Sequence, residues 1–183
     1  MMSDSRRAIV LAVGGGIAAY KSAFLCSRLV QSGHEVRVAL TKSALNFVGA
    51  STFSALSGQS VATEVFQPER HPLGAHIELA KGCDLMIVAP ATANLMSRFA
   101  LGQADDLIST LYLQLTSPVL LAPAMSDSMW KKAAVQRNVE RLREDGCHFV
   151  GPSSGWLSCR ASGDGRMSEP NEILEAAEAL FNR

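Results

Sequence analysis

Four short runs constrain this chain most: Ala8–Val13, Glu35–Leu40, Asp84–Ala89 and Pro118–Ala122. Three are largely apolar at consecutive positions, and Glu35–Leu40 becomes so after Arg37. A strand with one face in water alternates, whereas a run apolar at both parities has both faces covered. Between and after these runs lie segments with apolar residues at helical spacing. They are Ile17–Gln31, stopped by Ser32-Gly33, then Asn94–Gly102, Asp105–Gln114, Lys131–Asp145 and Glu169–Phe181. A weaker fifth strand is expected at His148–Val150. Strands separated by helices pair in parallel, because a parallel connection must cross back over the sheet. The pattern predicts an α/β fold in three layers, α/β/α, with a central parallel sheet in one domain spanning residues 1–183. Two stretches, Gln67–Gly74 and Ser153–Gly165, read as irregular loops, where function tends to reside.

Charge and cysteine usage narrow the function classes. The formal net charge is +0, which argues against an electrostatic nucleic-acid binder. No apolar run reaches the roughly 18–20 residues needed to span a bilayer, so no membrane role is expected. Met1–Arg7 lacks the apolar core of a secretory signal. Cys26, Cys83, Cys147 and Cys159 are scattered, with no CxxC pair and no histidine at metal-ligand spacing. Neither disulfides nor a metal site is therefore expected, and a reducing, cytoplasmic setting fits.

The candidate chemistry gathers at strand ends, where an open parallel sheet binds its ligands. After the first strand comes Val13-Gly-Gly-Gly-Ile-Ala-Ala-Tyr-Lys21, whose glycines permit a sharp turn and present main-chain amides to an anion. Gly14-x-Gly16-x-x-Ala19 meets the loose dinucleotide fingerprint, but the second strand ends in Leu40-Thr-Lys-Ser-Ala44 rather than in an acidic residue. Hydroxyls and a cation there suit a phosphate, which favours a mononucleotide over NAD. Ala89-Pro-Ala-Thr-Ala-Asn94, after the third strand, is small enough for backbone to approach a planar ring; Thr92 and Asn94 offer directed hydrogen bonds or helix caps. Past the fourth strand, Leu121-Ala-Pro-Ala-Met-Ser-Asp-Ser-Met-Trp130 clusters two methionines and a tryptophan, an apolar surface that a flat ligand would cover.

These motifs, together with His76-Ile-Glu-Leu79, Gly102-Gln-Ala-Asp-Asp-Leu107 and Gly163-Asp-Gly-Arg-Met-Ser-Glu-Pro170, follow one another in order along nearly the whole chain. In them the sequence resembles the flavin-containing cysteine decarboxylases, most closely the phosphopantothenoylcysteine decarboxylases of coenzyme A biosynthesis. The resemblance implies a Rossmann/flavodoxin-like fold and bound FMN. It also implies a homotrimer, or a larger assembly of trimers, with the site between subunits. By matching positions, Gly15, Gly16, Ile17, Thr41, Ser43, Thr92, Ala93, Asn94, Ala124 and Met125 form the flavin shell. His76 matches the catalytic histidine, a residue type suited to acid–base work; the plainer alternative is a structural cap on a helix Ile77–Lys81. Cys159 matches the cysteine that protonates the product, and Ser126 stands where the family has a substrate-binding asparagine. Met129, Arg166 and Met167 complete the implied substrate contacts, the last two within the mobile segment Gly163–Pro170; Arg160, placed where the family has a glycine, is either solvated or holds the substrate phosphate or carboxylate.

The implied reaction is FMN-dependent decarboxylation of 4'-phosphopantothenoylcysteine to 4'-phosphopantetheine through a thioaldehyde and an enethiol, with no net redox change. Cys159 separates this outcome from that of peptidyl-cysteine oxidative decarboxylases, which stop at the enethiol and lack the cysteine. Two departures stand out. Ser126 has a shorter side chain and one donor, and losing a directed hydrogen bond to a charged group costs on the order of 1.5–3 kcal/mol. Ser158-Cys-Arg160 replaces the usual Ala-Cys-Gly, so a cation takes the place of a glycine. Because of Ser126, a flavin-binding regulatory protein without turnover stays open beside the two enzyme readings. A prenyl-flavin synthase relative would give Cys159 and the Met125–Trp130 cluster no purpose. Many bacterial relatives carry a second domain that joins cysteine to phosphopantothenate, an activity expected to lie elsewhere than in these 183 residues.

Overall fold

The computed structural model describes residues 6–182; most of Met1–Arg7, read above as leader-free, lies outside that range. In chain order the elements are β1 (Ala8–Val13), α1 (Ala19–Gln31), β2 (Glu35–Leu40), α2 (Ala50–Ser57), α3 (Ala75–Ala80), β3 (Leu85–Ala91), α4 (Ala93–Leu101) and α5 (Leu107–Gln114). There follow β4 (Val119–Pro123), α6 (Asp127–Trp130), α7 (Ala133–Glu144), β5 (His148–Phe149), β6 (Ser153–Trp156), β7 (Ser162–Arg166) and α8 (Pro170–Phe181).

Five strands form one sheet in the order β2-β1-β3-β4-β5, and every neighbouring pair is parallel. Since successive side chains leave a strand on opposite faces, the two parities of β1 feed two separate cores. Ile9, Leu11 and Val13 pack with Leu25 and Leu29 of α1, Phe53 of α2 and Ile173 of α8. Val10 and Ala12 pack on the other face with Leu79 of α3, Leu95 and Phe99 of α4, Ile108 of α5 and Leu142 of α7. β3 is buried at all seven positions, as a central strand covered on both faces must be. This is the expected three-layer α/β/α architecture, and the strand order is the flavodoxin-like one. Its switch point falls between β1 and β3, where neighbouring crossovers leave on opposite faces and open a crevice. Among the described residues, no helix is long and apolar enough to cross a membrane.

Local signals set the boundaries. Thr92 caps α4 by accepting the Leu95 N–H, and Gly102, at φ 64°, ends that helix in the left-handed conformation. Asp106 and Ser109 form a reciprocal capping box on α5, and Pro170 opens α8. The first helix begins at Ala19 rather than Ile17, because a turn closed by Ala19 N–H on the Gly16 carbonyl comes first.

The segment expected to be an irregular loop over Ser153–Gly165 is instead an antiparallel hairpin, β6–β7. Its serines and glycines carry no alternating apolar signal; the ladder alone defines it. The reading also passes over α2, where Ser51, Thr52, Ser54 and Ser57 are weak helix formers and Phe53 is the one fully buried residue.

Candidate active site

A cleft of about 1170 Å³ runs along the carboxyl ends of β1, β2, β3 and β4. Gly15, Gly16 and Ile17 enter from the turn after β1, Thr41 and Ser43 from β2, Thr92, Ala93 and Asn94 from β3, and Ala124 and Met125 from β4. All ten positions expected to hold a flavin thus face one space. The glycines are required by close approach: a Cβ on Gly14 would stand 2.4 Å from the Pro90 carbonyl oxygen, and one on Gly15 would stand 2.3 Å from Ser43 Cβ. Gly16 is different, since its nearest neighbour would be 4.0 Å away, so its backbone lines open space. Thr41 Oγ1 accepts the Ala44 N–H at 3.0 Å and thereby folds the β2 loop inward.

The edge of β2 brings in residues that no motif announced. Ala62 pairs with Ala39 in a parallel bridge, its carbonyl accepting the Leu40 N–H at 2.9 Å. That bridge carries Thr63–Phe66 to the wall of the cleft. Arg98 also lines it, held by Asp105 at 3.2 Å and by Asp106. The other lining cations have carboxylate partners too: Lys42 with Glu64 at 3.7 Å, and Lys21 and Arg166 with Glu169 at 2.8 and 2.6 Å. Lys21, followed by Arg166, holds the Glu169 carboxyl below the ordinary range.

The hairpin forms the roof. Its tip and return strand place Cys159, Arg166 and Met167 on the cleft, and Ser126 and Met129 face it from the β4 side. Cys159 is exposed, whereas Cys26 and Cys147 are buried; burial pushes the Cys26 thiol up to about 11 and also raises that of Cys147. Among the described residues, Ser126 Oγ meets only Ser128 Oγ, at 3.3 Å. Of the aromatic and sulfur cluster after β4, Met125 and Met129 reach the cleft, while Trp130 packs into the second core.

Two expected site residues do not line the cleft of this chain. Arg160 sits at the hairpin tip outside the lining, with φ 62°, a left-handed conformation that favours glycine. His76 is also outside it, and it is no helix cap: α3 starts at Ala75 behind Gly74, so His76 is the second helical residue. Its Nδ1 is buried without a partner among the described residues. His71 Nδ1 pairs with Glu78 at 2.8 Å, and Glu78 also accepts the Leu73 N–H at 3.1 Å, which ties down the loop leading to His76. Those contacts, His71 first, lower the Glu78 pKa.

A glycine-lined cleft at the switch point of a 2-1-3-4-5 parallel sheet, roofed by a hairpin bearing a thiol, defines a flavodoxin-like mononucleotide-binding class. Sequence comparison makes this specific: the family model described as Flavoprotein matches residues 1–182, and the chain belongs to that family. The coenzyme A biosynthesis bifunctional protein CoaBC of Bacillus subtilis (strain 168) is 45% identical over 177 residues, covering 97% of this chain and 44% of that protein. The chain thus spans less than half the length of the curated relatives it matches. Among solved structures, a cysteine-to-serine mutant of PPC decarboxylase complexed with pantothenoylaminoethenethiol superposes with a TM-score of 0.85 at 28% identity, covering 97% of this chain and all of the other. The FMN-dependent cysteine decarboxylase SpaF gives 0.78 at 28% identity, over 94% and 98% of the two chains.

Proposed function

We propose that this chain is an FMN-dependent carboxy-lyase that converts 4'-phosphopantothenoylcysteine to 4'-phosphopantetheine in coenzyme A biosynthesis. One observation carries the reading: four strand-end loops converge on a single cleft, and Cys159 lies at its roof. The relatives named for coenzyme A biosynthesis and the PPC decarboxylase neighbour support the choice of substrate.

The residues present fit FMN. The volume suits a flavin, the glycine turn lets backbone approach it, and Ser43 Oγ and the Asn94 amide make no side-chain hydrogen bond to other described residues. Ile17 and Met125 offer apolar contact, and Thr41 and Ser43 offer hydroxyls to a phosphate. When bound, FMN supplies a reversible hydride acceptor, which spares the reaction an unstabilised carbanion.

The chain's own residues orient and protonate. Ser126 and Met129 border the position of the cysteine end of the substrate, with Ser126 Oγ donating to its carboxylate. The hairpin covers the cleft and excludes water, with Arg166 and Met167 at its base. Cys159 Sγ would then give a proton to the enethiol carbon, and with the hydride equivalent taken earlier in turnover restored to the carbon bearing sulfur, the saturated thiol results. In this reading the site closes between copies, in a homotrimer or a larger assembly of trimers in a cytoplasmic setting. His76 of one copy would face the cleft of the next and take the thiol proton. Exposed Phe66, Leu73 and Ile77 near His76 in the chain support burial of this region by another copy.

The test is incubation of the FMN-loaded protein with 4'-phosphopantothenoylcysteine, followed by mass spectrometry. Loss of one CO2 with a saturated thiol product is expected. Cys159→Ser should halt at the unsaturated thiol. Unchanged substrate would sink the proposal.

A further inference from the structure

The return strand β7 does not float over the cleft; it is seated on the loop between β4 and α6. Met125 N–H donates to the Gly165 carbonyl at 2.9 Å, and Asp164 N–H donates to Asp127 Oδ1 at 2.9 Å. The fit admits no side chain between them: a Cβ on Gly163 would stand 2.7 Å from Asp127 Cβ, and one on Gly165 would stand 2.4 Å from the Met125 carbonyl oxygen. Asp127 Oδ1 also accepts from Lys131 Nζ at 2.9 Å, one turn along, so the carboxylate is already aimed before the hairpin meets it. Both contacts, Lys131 first, lower the Asp127 pKa.

The base of the hairpin is fastened elsewhere. Glu169 bridges Lys21 and Arg166, and Ser153 Oγ meets Ser168 Oγ at 3.4 Å. Among the described residues, Asp127 is the side chain that hydrogen-bonds from the β4 side to the return strand of the hairpin, at Asp164 in mid-strand, and Asp164 lies five residues from Cys159. Resting on the function proposed above, we infer that Asp127 is a positioning residue whose carboxylate latches the hairpin through the Asp164 amide and so holds Cys159 over the cleft. Its effect falls on the last step. The proton leaves Cys159 Sγ for a carbon of the unsaturated product. The hydride completing saturation is the one removed from the same substrate earlier in turnover, so no outside reductant enters.

The latch is tested on the FMN-loaded protein by the rate of trypsin cleavage after Arg160, an exposed residue at the hairpin tip, read by mass spectrometry without substrate. Asp127→Ala should be cut there about tenfold faster than the parent, because lost seating free energy multiplies the open population that protease attacks. Asp127→Asn keeps an oxygen for the Asp164 amide and should stay within about threefold of the parent. Gly163→Ala attacks the same seat from the hairpin side and should reproduce Asp127→Ala if that variant folds poorly. With substrate, Asp127→Ala should raise the share of unsaturated thiol, and Asp127→Asn should restore the parent ratio. Parental cleavage in Asp127→Ala, or equal loss in Asp127→Ala and Asp127→Asn, overturns the latch. The cleavage result stands without turnover, so a chain that decarboxylates nothing yet shows this pattern retains the latch and loses only the function.

Discussion

Gly15 lies so close to Ser43 that a single added carbon would stand 2.3 Å from Ser43 Cβ and 2.8 Å from its carbonyl carbon. The turn after β1 and the turn after β2 are thereby locked together, and both line the cleft. Gly15→Ala must push the Ser43 backbone aside, a distortion costing about 1–3 kcal/mol. If the cofactor site takes that cost, FMN binding weakens about fivefold to more than a hundredfold. Flavin fluorescence titration measures it, and parental affinity would mean that the two turns move freely.

Arg160 occupies the left-handed region at φ 62°. An L-residue there costs roughly 1–2 kcal/mol, while glycine adds roughly 0.5–1 kcal/mol of unfolded-chain entropy. Arg160→Gly is expected to gain on the order of 0.5–1 kcal/mol, seen as a higher urea midpoint at unchanged slope. A lower midpoint would show that the guanidinium makes a stabilising contact that outweighs the strain.

Glu169 ties Lys21 of α1 to Arg166 of β7, and its carboxyl is held low chiefly by Lys21. A depressed folded-state pKa contributes stability above the ordinary glutamate value of about 4.3 and loses it as pH falls through the folded value. The melting-temperature gap between the parent and Glu169→Gln should therefore be widest near neutrality and close in acid. A gap that stays constant from about pH 7 to about pH 3 would remove the ion pairs from the explanation.

Among the described residues, the Ser126 side chain reaches no partner but Ser128 Oγ. An asparagine there extends further and offers two donors to a carboxylate. Ser126→Asn is expected to raise kcat/KM for decarboxylation by about tenfold to a hundredfold, the equivalent of about 1.5–3 kcal/mol. No gain would mean that serine is already competent.

The central sheet was legible because β1 and β3 are apolar at both parities, which only a strand covered on both faces can be. The strand-end loops were legible for the same reason: once the strands are placed, Gly15, Thr41, Thr92 and Met125 must lie at one edge. What stayed hidden depends on partners distant in sequence. Thr63–Phe66 enter the cleft only because Ala62 bridges to Ala39. The hairpin shows no periodicity because Gly163 and Gly165 are chosen to lie flat on Asp127 and Met125. Arg160 was expected in the substrate site on its charge, yet backbone conformation at the tip turns it outside the lining. His76 was placed by motif alone, and no spacing rule says which way α3 faces.

The most direct test is titration of the purified chain with FMN, following the visible flavin spectrum and the stoichiometry. Saturable uptake of one FMN per chain, with the flavin band perturbed and with Gly15→Ala impaired, is the predicted result. A colourless protein that takes up no FMN would contradict the account at its root.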